Sequence, residues 1–164
     1  MKGSKLAVKF ALSPFGAAVD RLCVRHVGHS PVGWVFARSE GTAYNRPLLL
    51  TAVGRRSGRE RVVVLPFFDA GPGRIAVVGS RGGMPTDPHW ARNLRAHPEA
   101  SVRLARRDHR VRVTLAQGEA RAPLWRAIVA RAPVYAHYQE LAKLHREIPV
   151  FVLERADGGP LPGR

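Results

Sequence analysis

The sequence predicts a mainly β, antiparallel fold with flanking helices (α+β), built as a small barrel. Three observations lead there. Five or six apolar runs of strand length follow one another in the chain, short polar turns join most of them, and no long helical crossovers separate them as a doubly wound sheet would require. At 164 residues the chain has the length of one compact domain. With 45% hydrophobic and 24% charged residues it can bury a core, which excludes a disordered chain.

The elements read in order as follows. Phe15, Ala18, Val19, Leu22 and Cys23 keep helical spacing, with Gly28 as a stop, so a helix is predicted over 15–27. His29 to Asn45 has no sustained period and reads as a connecting loop with a short turn at 32–37. Pro47–Val53 and Val62–Phe68 are β-branched, apolar runs joined by the polar stretch Gly54 to Glu60, the pattern of a hairpin. Arg74–Gly79 is a third strand after an Ala-Gly-Pro-Gly turn. Thr86-Asp87-Pro88 marks a helix start and Pro98 its end. Ser101–Ala105 and His109–Gln117 are further strands; in the second, Val111, Val113 and Leu115 alternate with Arg110, Arg112 and Thr114. Helices are predicted over 119–132 and 135–144, and a last strand over 148–154. The organisation is then an N-terminal helix and connecting loop (1–45), a barrel domain (46–155) and a Gly/Pro tail (156–164) expected to be disordered.

Charge narrows the partners. Lys and Arg number 27 against 12 Asp and Glu, a net +15, with a pI of 11.6, so an anionic partner is expected: nucleic acid, a membrane surface or a polyanionic small molecule. A single cysteine, Cys23, excludes a disulfide within the chain and any cysteine-rich metal centre, and fits a cytoplasmic setting. Lys2, Lys5 and Lys9 precede an apolar stretch that Ser13 and Pro14 interrupt. That stretch is too short to span a bilayer, though a basic amphipathic segment lying on a membrane remains open. The Walker, GxGxxG, GxSxG and HExxH signatures are absent. The seven histidines include His26 and His29 close together, but no acidic or thiol ligand stands at metal spacing beside them, and no metal is assigned.

Several constellations bear chemistry. Gly54-Arg-Arg-Ser-Gly-Arg-Glu-Arg61 places four arginines in a hairpin connection whose glycines permit a sharp turn. Its guanidinium forks, backbone N–H groups and the Ser57 hydroxyl suit phosphate or carboxylate oxygens. The plain alternative is a solvated basic turn. Gly79-Ser80-Arg81-Gly82-Gly83 ends a strand and runs toward a helix N-terminus, either a ligand-facing loop or simply a turn. Trp90 and Asn93 lie three apart and share a helix face, as do Tyr135 and Tyr138; each pair could line a pocket or pack in the core.

In order and spacing, Leu48-Leu-Leu-Thr51, Gly54-Arg-Arg-Ser-Gly58, Arg61, Pro66, Ser80-Arg-Gly-Gly83, Pro88-His-Trp90, Asn93-Leu94, Pro98, Tyr135, Tyr138-Gln139 and Ile148-Pro-Val150 resemble the deazaflavin-dependent nitroreductases, also called coenzyme F-420-dependent quinone reductases. The resemblance covers about residues 47–154. It implies a split β-barrel of the FMN-binding-like kind, and an oxidoreductase that passes hydride from reduced coenzyme F-420 to a quinone, nitroaromatic or other conjugated electrophile. The cofactor's tail of phosphodiester and glutamates would lie on Arg55, Arg56, Ser57, Gly58, Arg59 and Arg61. Leu50, Thr51, Pro66, Phe67, Ser80, Arg81, Gly82, His89, Trp90 and Asn93 would surround the rest of it. Tyr135 and Ser80 would be catalytic, with Phe68, Ala132, Tyr135 and Tyr138 on the acceptor side. Three positions depart from the family's pattern: Ala132 and Phe68 stand where a tyrosine and another aromatic hydroxyl are often found, and Arg81 where lysine is frequent. Ala132 and Phe68 imply a roomier, less polar acceptor pocket. The alternatives are a split barrel binding another ligand or FMN, whose single phosphate suits the arginine hairpin less well, and a non-catalytic nucleic-acid-binding barrel, which the lack of interleaved aromatic and basic strand residues disfavours.

Overall fold

The computed structural model describes residues 13–41 and 43–162. The basic residues Lys2, Lys5 and Lys9 lie outside them. Helices α1 (Pro14–His26) and α2 (Pro31–Ser39) lead into strands β1 (Pro47–Val53), β2 (Glu60–Pro66), β3 (Phe68–Asp69) and β4 (Ile75–Val78). A 3₁₀ turn (Arg81–Gly83) and α3 (His89–Ala96) follow, then β5 (Glu99–Leu104), β6 (Arg107–Ala116), α4 (Gly118–Arg131), α5 (Val134–Ala142) and β7 (Val150–Arg155).

The strands form one seven-stranded sheet in the order β2-β1-β5-β6-β7-β4-β3, every pair antiparallel. The sheet curls until β2 approaches β4, making the half-barrel expected of the class. Its concave side encloses the larger core, with Leu48, Leu50, Ile75, Val77, Val102, Phe151 and Leu153 almost fully buried. A second core, containing Ala76, Ile128, Ile148 and Val150, lies under α4 and α5. Along β6, Val111 and Val113 are buried while Arg110 and Arg112 are exposed, as the alternation predicts.

The structure differs from the sequence reading in three places. The segment read as a loop holds α2, nine residues long, with Ser30 as N-cap accepting from Gly33 N–H (2.7 Å) and Pro31 in the first turn. Helix α1 lies where expected, yet it buries Gly16, Asp20 and Val24 and leaves Phe15 and Leu22 exposed. The reason is polar. Asp20 accepts hydrogen bonds from Ser30 Oγ (2.8 Å) and Val32 N–H (3.0 Å), so α1 turns a carboxylate inward to hold the start of α2. Finally, the tail expected to be disordered docks as far as residue 162: Leu161 is buried in the larger core and its N–H bonds Gly73 O at 3.0 Å. A single leucine returning to an open end of the sheet orders a stretch otherwise rich in glycine and proline.

Candidate active site

Two neighbouring cavities lie along β2, the exposed edge strand. The first, about 500 Å³, is lined by Gly54, Arg55, Arg56, Ser57, Arg61, Val62, Val63, His89, Trp90 and Asn93. The hairpin turn that supplies its arginines closes through Gly54 N–H to Arg59 O (2.8 Å) and Gly58 N–H to Gly54 O (2.8 Å), with Gly58 at φ 66°. A Cβ at Gly54 would stand 2.8 Å from Ser57 Oγ and 3.1 Å from Arg59 O, so the turn needs glycine there to close this tightly. From α3, buried Asn93 accepts from both the N–H and Nη1 of Arg55, each at 3.2 Å. Trp90 packs on Phe151 of the core with ring centroids 5.7 Å apart and gives the cavity an aromatic wall. His89 has its pKa lowered, first by the Arg92 guanidinium, then by desolvation and by Arg55, Arg81 and Arg56, which marks a site of strongly positive potential. Arg92 Nε is buried with no hydrogen-bond partner among the described residues.

The second cavity, about 320 Å³, opens further along β2 at Val64 and Pro66. Ser80, Gly82, Ala132, Tyr135 and Tyr138 form one side of it; Asp20, Ser30, Phe36 and Glu40 from the two N-terminal helices form another. Tyr138 donates a hydrogen bond to Glu40 across the cavity. The Tyr135 ring is buried, meeting Tyr138 edge-on at 5.9 Å and Phe68 at 5.5 Å. Burial, with the Glu40 charge adding, pushes both phenols well above their ordinary pKa. Both therefore stay protonated near neutral pH and can serve as donors.

Between the cavities runs the Ser80–Asp87 loop, fixed by one guanidinium. Arg146 donates to Gly79 O (3.0 Å), Ser80 O (2.6 Å), Met84 O (2.9 Å) and Asp87 Oδ1 (2.8 Å). Asp87, expected to cap α3, is spent on this ion pair and on Arg95; Pro88 takes the cap position without a side-chain bond.

The expected site residues separate into three groups. Arg55, Arg56, Ser57, Arg61, His89, Trp90 and Asn93 meet in the first cavity, and Pro66, Ser80, Gly82, Ala132, Tyr135 and Tyr138 in the second. Gly58 and Arg59 sit on the exposed turn, Thr51 lies on β1 opposite Val62, and Arg81 turns to Thr86 Oγ1 at 2.7 Å. Leu50 and Phe67 belong to the larger core, so their side chains line neither cavity, and Phe68 acts from behind, against Tyr135. Asp20, Glu40 and Arg146 were not singled out from the sequence. Their partners lie 10 to 98 residues away in the chain, so local patterning carries no sign of them.

A curled antiparallel half-barrel is the split-barrel fold, and here it carries a basic groove and an adjoining aromatic cavity. The family model for F420H(2)-dependent quinone reductase matches residues 34–155. The F420H(2)-dependent quinone reductase Rv1261c of Mycobacterium tuberculosis is 31% identical over 113 residues, 66% of this chain and 72% of the relative. A solved structure described as an F420-H2 dependent reductase (FDR-A) is 35% identical, covering 66% of this chain and 93% of its own, with a TM-score of 0.59. Another, described as a domain-swapped dimer, is 34% identical over 76% of this chain and all of its own, again with a TM-score of 0.59. The chain belongs to the F420H(2)-dependent quinone reductase family. It is an oxidoreductase whose cofactor is coenzyme F-420. The first cavity fits such a group chemically: three guanidinium-bearing side chains and no carboxylate line it, and an unpaired buried Arg92 N–H stands on the same helix.

Proposed function

We propose that the chain reduces quinones, or other conjugated electrophiles such as nitroaromatics, in the cavity at Tyr135 and Tyr138, with the cofactor's anionic tail held at the arginine turn. The observation that supports this reading most is that both cavities take part of their lining from the same strand, β2. Val62 and Val63 line the basic one, Val64 and Pro66 the aromatic one, so a long ligand with an anionic end and a planar end can lie along a single strand. At about 3.3 Å per residue, Val62 to Pro66 spans about 13 Å.

When bound in its reduced form, coenzyme F-420 supplies a hydride, that is, two electrons and one hydrogen. Reduction of a quinone to a quinol needs one further proton. Arg55, Arg56 and Arg61, with the Ser57 hydroxyl, bind the anionic tail and fix its position along the strand. Trp90 and Val63 shield the middle of the groove from water. The Ser80 loop, held by Arg146, sets the distance between the two ends. Tyr135 donates its phenolic proton toward the acceptor oxygen as negative charge develops there, an oxyanion-type role. Its hydroxyl has no hydrogen-bond partner among the described residues, whereas that of Tyr138 is committed to Glu40. With Ala132 and Phe68 in place of hydroxyl-bearing aromatics, the pocket is suited to apolar ring systems.

On the outer face of the N-terminal helices, Leu22, Val27 and Trp34 are exposed beside Arg21, Arg25 and Arg38. This supports contact with an anionic membrane surface, where apolar quinones partition. Pelleting with phosphatidylglycerol vesicles, but not with phosphatidylcholine vesicles, is the expected result.

The test of the main reading is a fluorescence titration with coenzyme F-420 and with FMN, followed by oxidation of reduced F-420 with a quinone panel. Selective F-420 binding and quinone-dependent oxidation are expected. F-420 binding without oxidation by any quinone or nitroaromatic would remove the acceptor assignment.

A further inference from the structure

The two cavities carry opposite charge. The chain as a whole has a net charge of +15, yet the side chains lining the second cavity include Asp20 and Glu40 and no Lys, Arg or His among the described residues. The first cavity is lined by Arg55, Arg56, Arg61 and His89 with no acid. In a chain with more than twice as many basic as acidic residues, two carboxylates facing an aromatic cavity without a counter-cation are a local reversal. The Arg146 guanidinium behind the Ser80 loop does not supply one, because it is taken up by Asp87 and three carbonyls.

Glu40 is also placed against its own helix. It is the C-cap residue of α2, where the negative end of the helix dipole disfavours a carboxylate, and no cation pairs with it among the described residues. Its hydrogen-bond partner is the Tyr138 hydroxyl, on the far side of the cavity. Local helix stability does not account for an acid at this position.

We infer that Glu40 makes the second cavity select acceptors by charge, admitting neutral or cationic ring systems and holding off anionic ones. Asp20, fixed by Ser30 and Val32, adds to the same field from the cavity wall. The field also orients the cofactor, since an anionic tail is repelled from this end and attracted to the other. The inference rests on the reading of this cavity as the acceptor side.

The experiment uses the full chain and two quinones of similar shape, 2-methyl-1,4-naphthoquinone (neutral) and 1,4-naphthoquinone-2-sulfonate (anionic). Their dissociation constants are measured calorimetrically on the wild type, Glu40→Gln and Glu154→Gln. Glutamine keeps an acceptor for Tyr138 and removes the charge; Glu154 lies outside the cavity, paired with Arg74. The two quinones differ in intrinsic affinity, and comparing their ratio between variants cancels that difference.

The neutral quinone is expected to bind the wild type about tenfold or more tightly than the sulfonate. Glu40→Gln is expected to reduce that ratio about fivefold or more through the sulfonate alone, while Glu154→Gln leaves it unchanged. Glu40→Lys should favour the sulfonate further. An unchanged ratio in Glu40→Gln overturns the inference, and so does failure of both quinones to bind. If the ratio shifts but neither quinone oxidises reduced F-420, charge selection stands and quinone reduction falls.

Discussion

Asn93 Oδ1 on α3 accepts two hydrogen bonds from Arg55, one from its backbone N–H and one from Nη1, each 3.2 Å long. One buried amide thus fixes both the backbone of the basic turn and the direction of its first guanidinium. Asn93→Leu removes the acceptor, leaves the Arg55 N–H unpaired and frees its side chain. The expected cost is about 1 to 3 kcal/mol of stability and about a tenfold rise in the F-420 dissociation constant. Urea unfolding and fluorescence titration check the two separately.

His89 gives cofactor binding a pH dependence of definite sign. In the free protein Arg92, then desolvation, then Arg55, Arg81 and Arg56 hold its pKa below the ordinary imidazole value, so it is largely neutral at pH 7. An anionic tail placed among these guanidiniums offsets their charge and raises the His89 pKa. Binding then takes up a proton, and affinity increases as the pH falls from about 7 to about 5.5. Titrations across that range should show this trend, and His89→Ala should flatten it. A flat wild-type profile would separate His89 from the tail.

Tyr135→Phe should lower turnover by about a hundredfold with little change in cofactor affinity, because the ring that packs against Phe68 and Tyr138 is kept. The phenol's pKa is raised by burial and by the Glu40 charge, so no loss of activity through its ionisation is expected between pH 6 and 9. Steady-state kinetics on reduced F-420 decide it. Undiminished turnover would leave Tyr135 a packing residue.

Leu161→Ala tests the docked tail. The side chain is 3% exposed, within the same core as Leu153 and Phe151. Truncation should cost about 2 to 4 kcal/mol, visible as a lower Tm, whereas substitution of exposed Pro162 should change little.

Much of this was legible in the sequence, for physical reasons that also mark where reading stops. Strand β1 and the turn after it were plain, because an apolar run, two glycines and a cluster of arginines punctuate each other. Helical spacing alone puts Tyr135 with Tyr138 and Trp90 with Asn93, and each pair lines one cavity. Strand β1 is buried on both faces over Leu48 to Leu50, so no alternation showed that Leu50 faces core rather than ligand. Phe67 and Phe68 are adjacent and extended, hence directed to opposite sides, one toward each core. Ser30-Pro31 carries the start signal of α2, but the residues after it lack a clean apolar period, so the sequence pattern reads as a loop. Asp20 could not be placed by hydropathy, which assigns a carboxylate to solvent unless its partner is known. The Glu40–Tyr138 pair joins segments 98 residues apart, and only the fold brings them together.

The groove is assembled from two stretches of chain with different standing. Everything that lines its basic end falls between Gly54 and Asn93, inside the span matched by the family model, whereas Asp20, Ser30, Val32 and Gly33 of the other end precede residue 34, where that match begins. Glu40, Tyr135 and Tyr138 fall inside the matched span, so the second cavity joins residues within it to four that precede it. Changes at those four positions reshape the second cavity without touching a residue that lines the basic one.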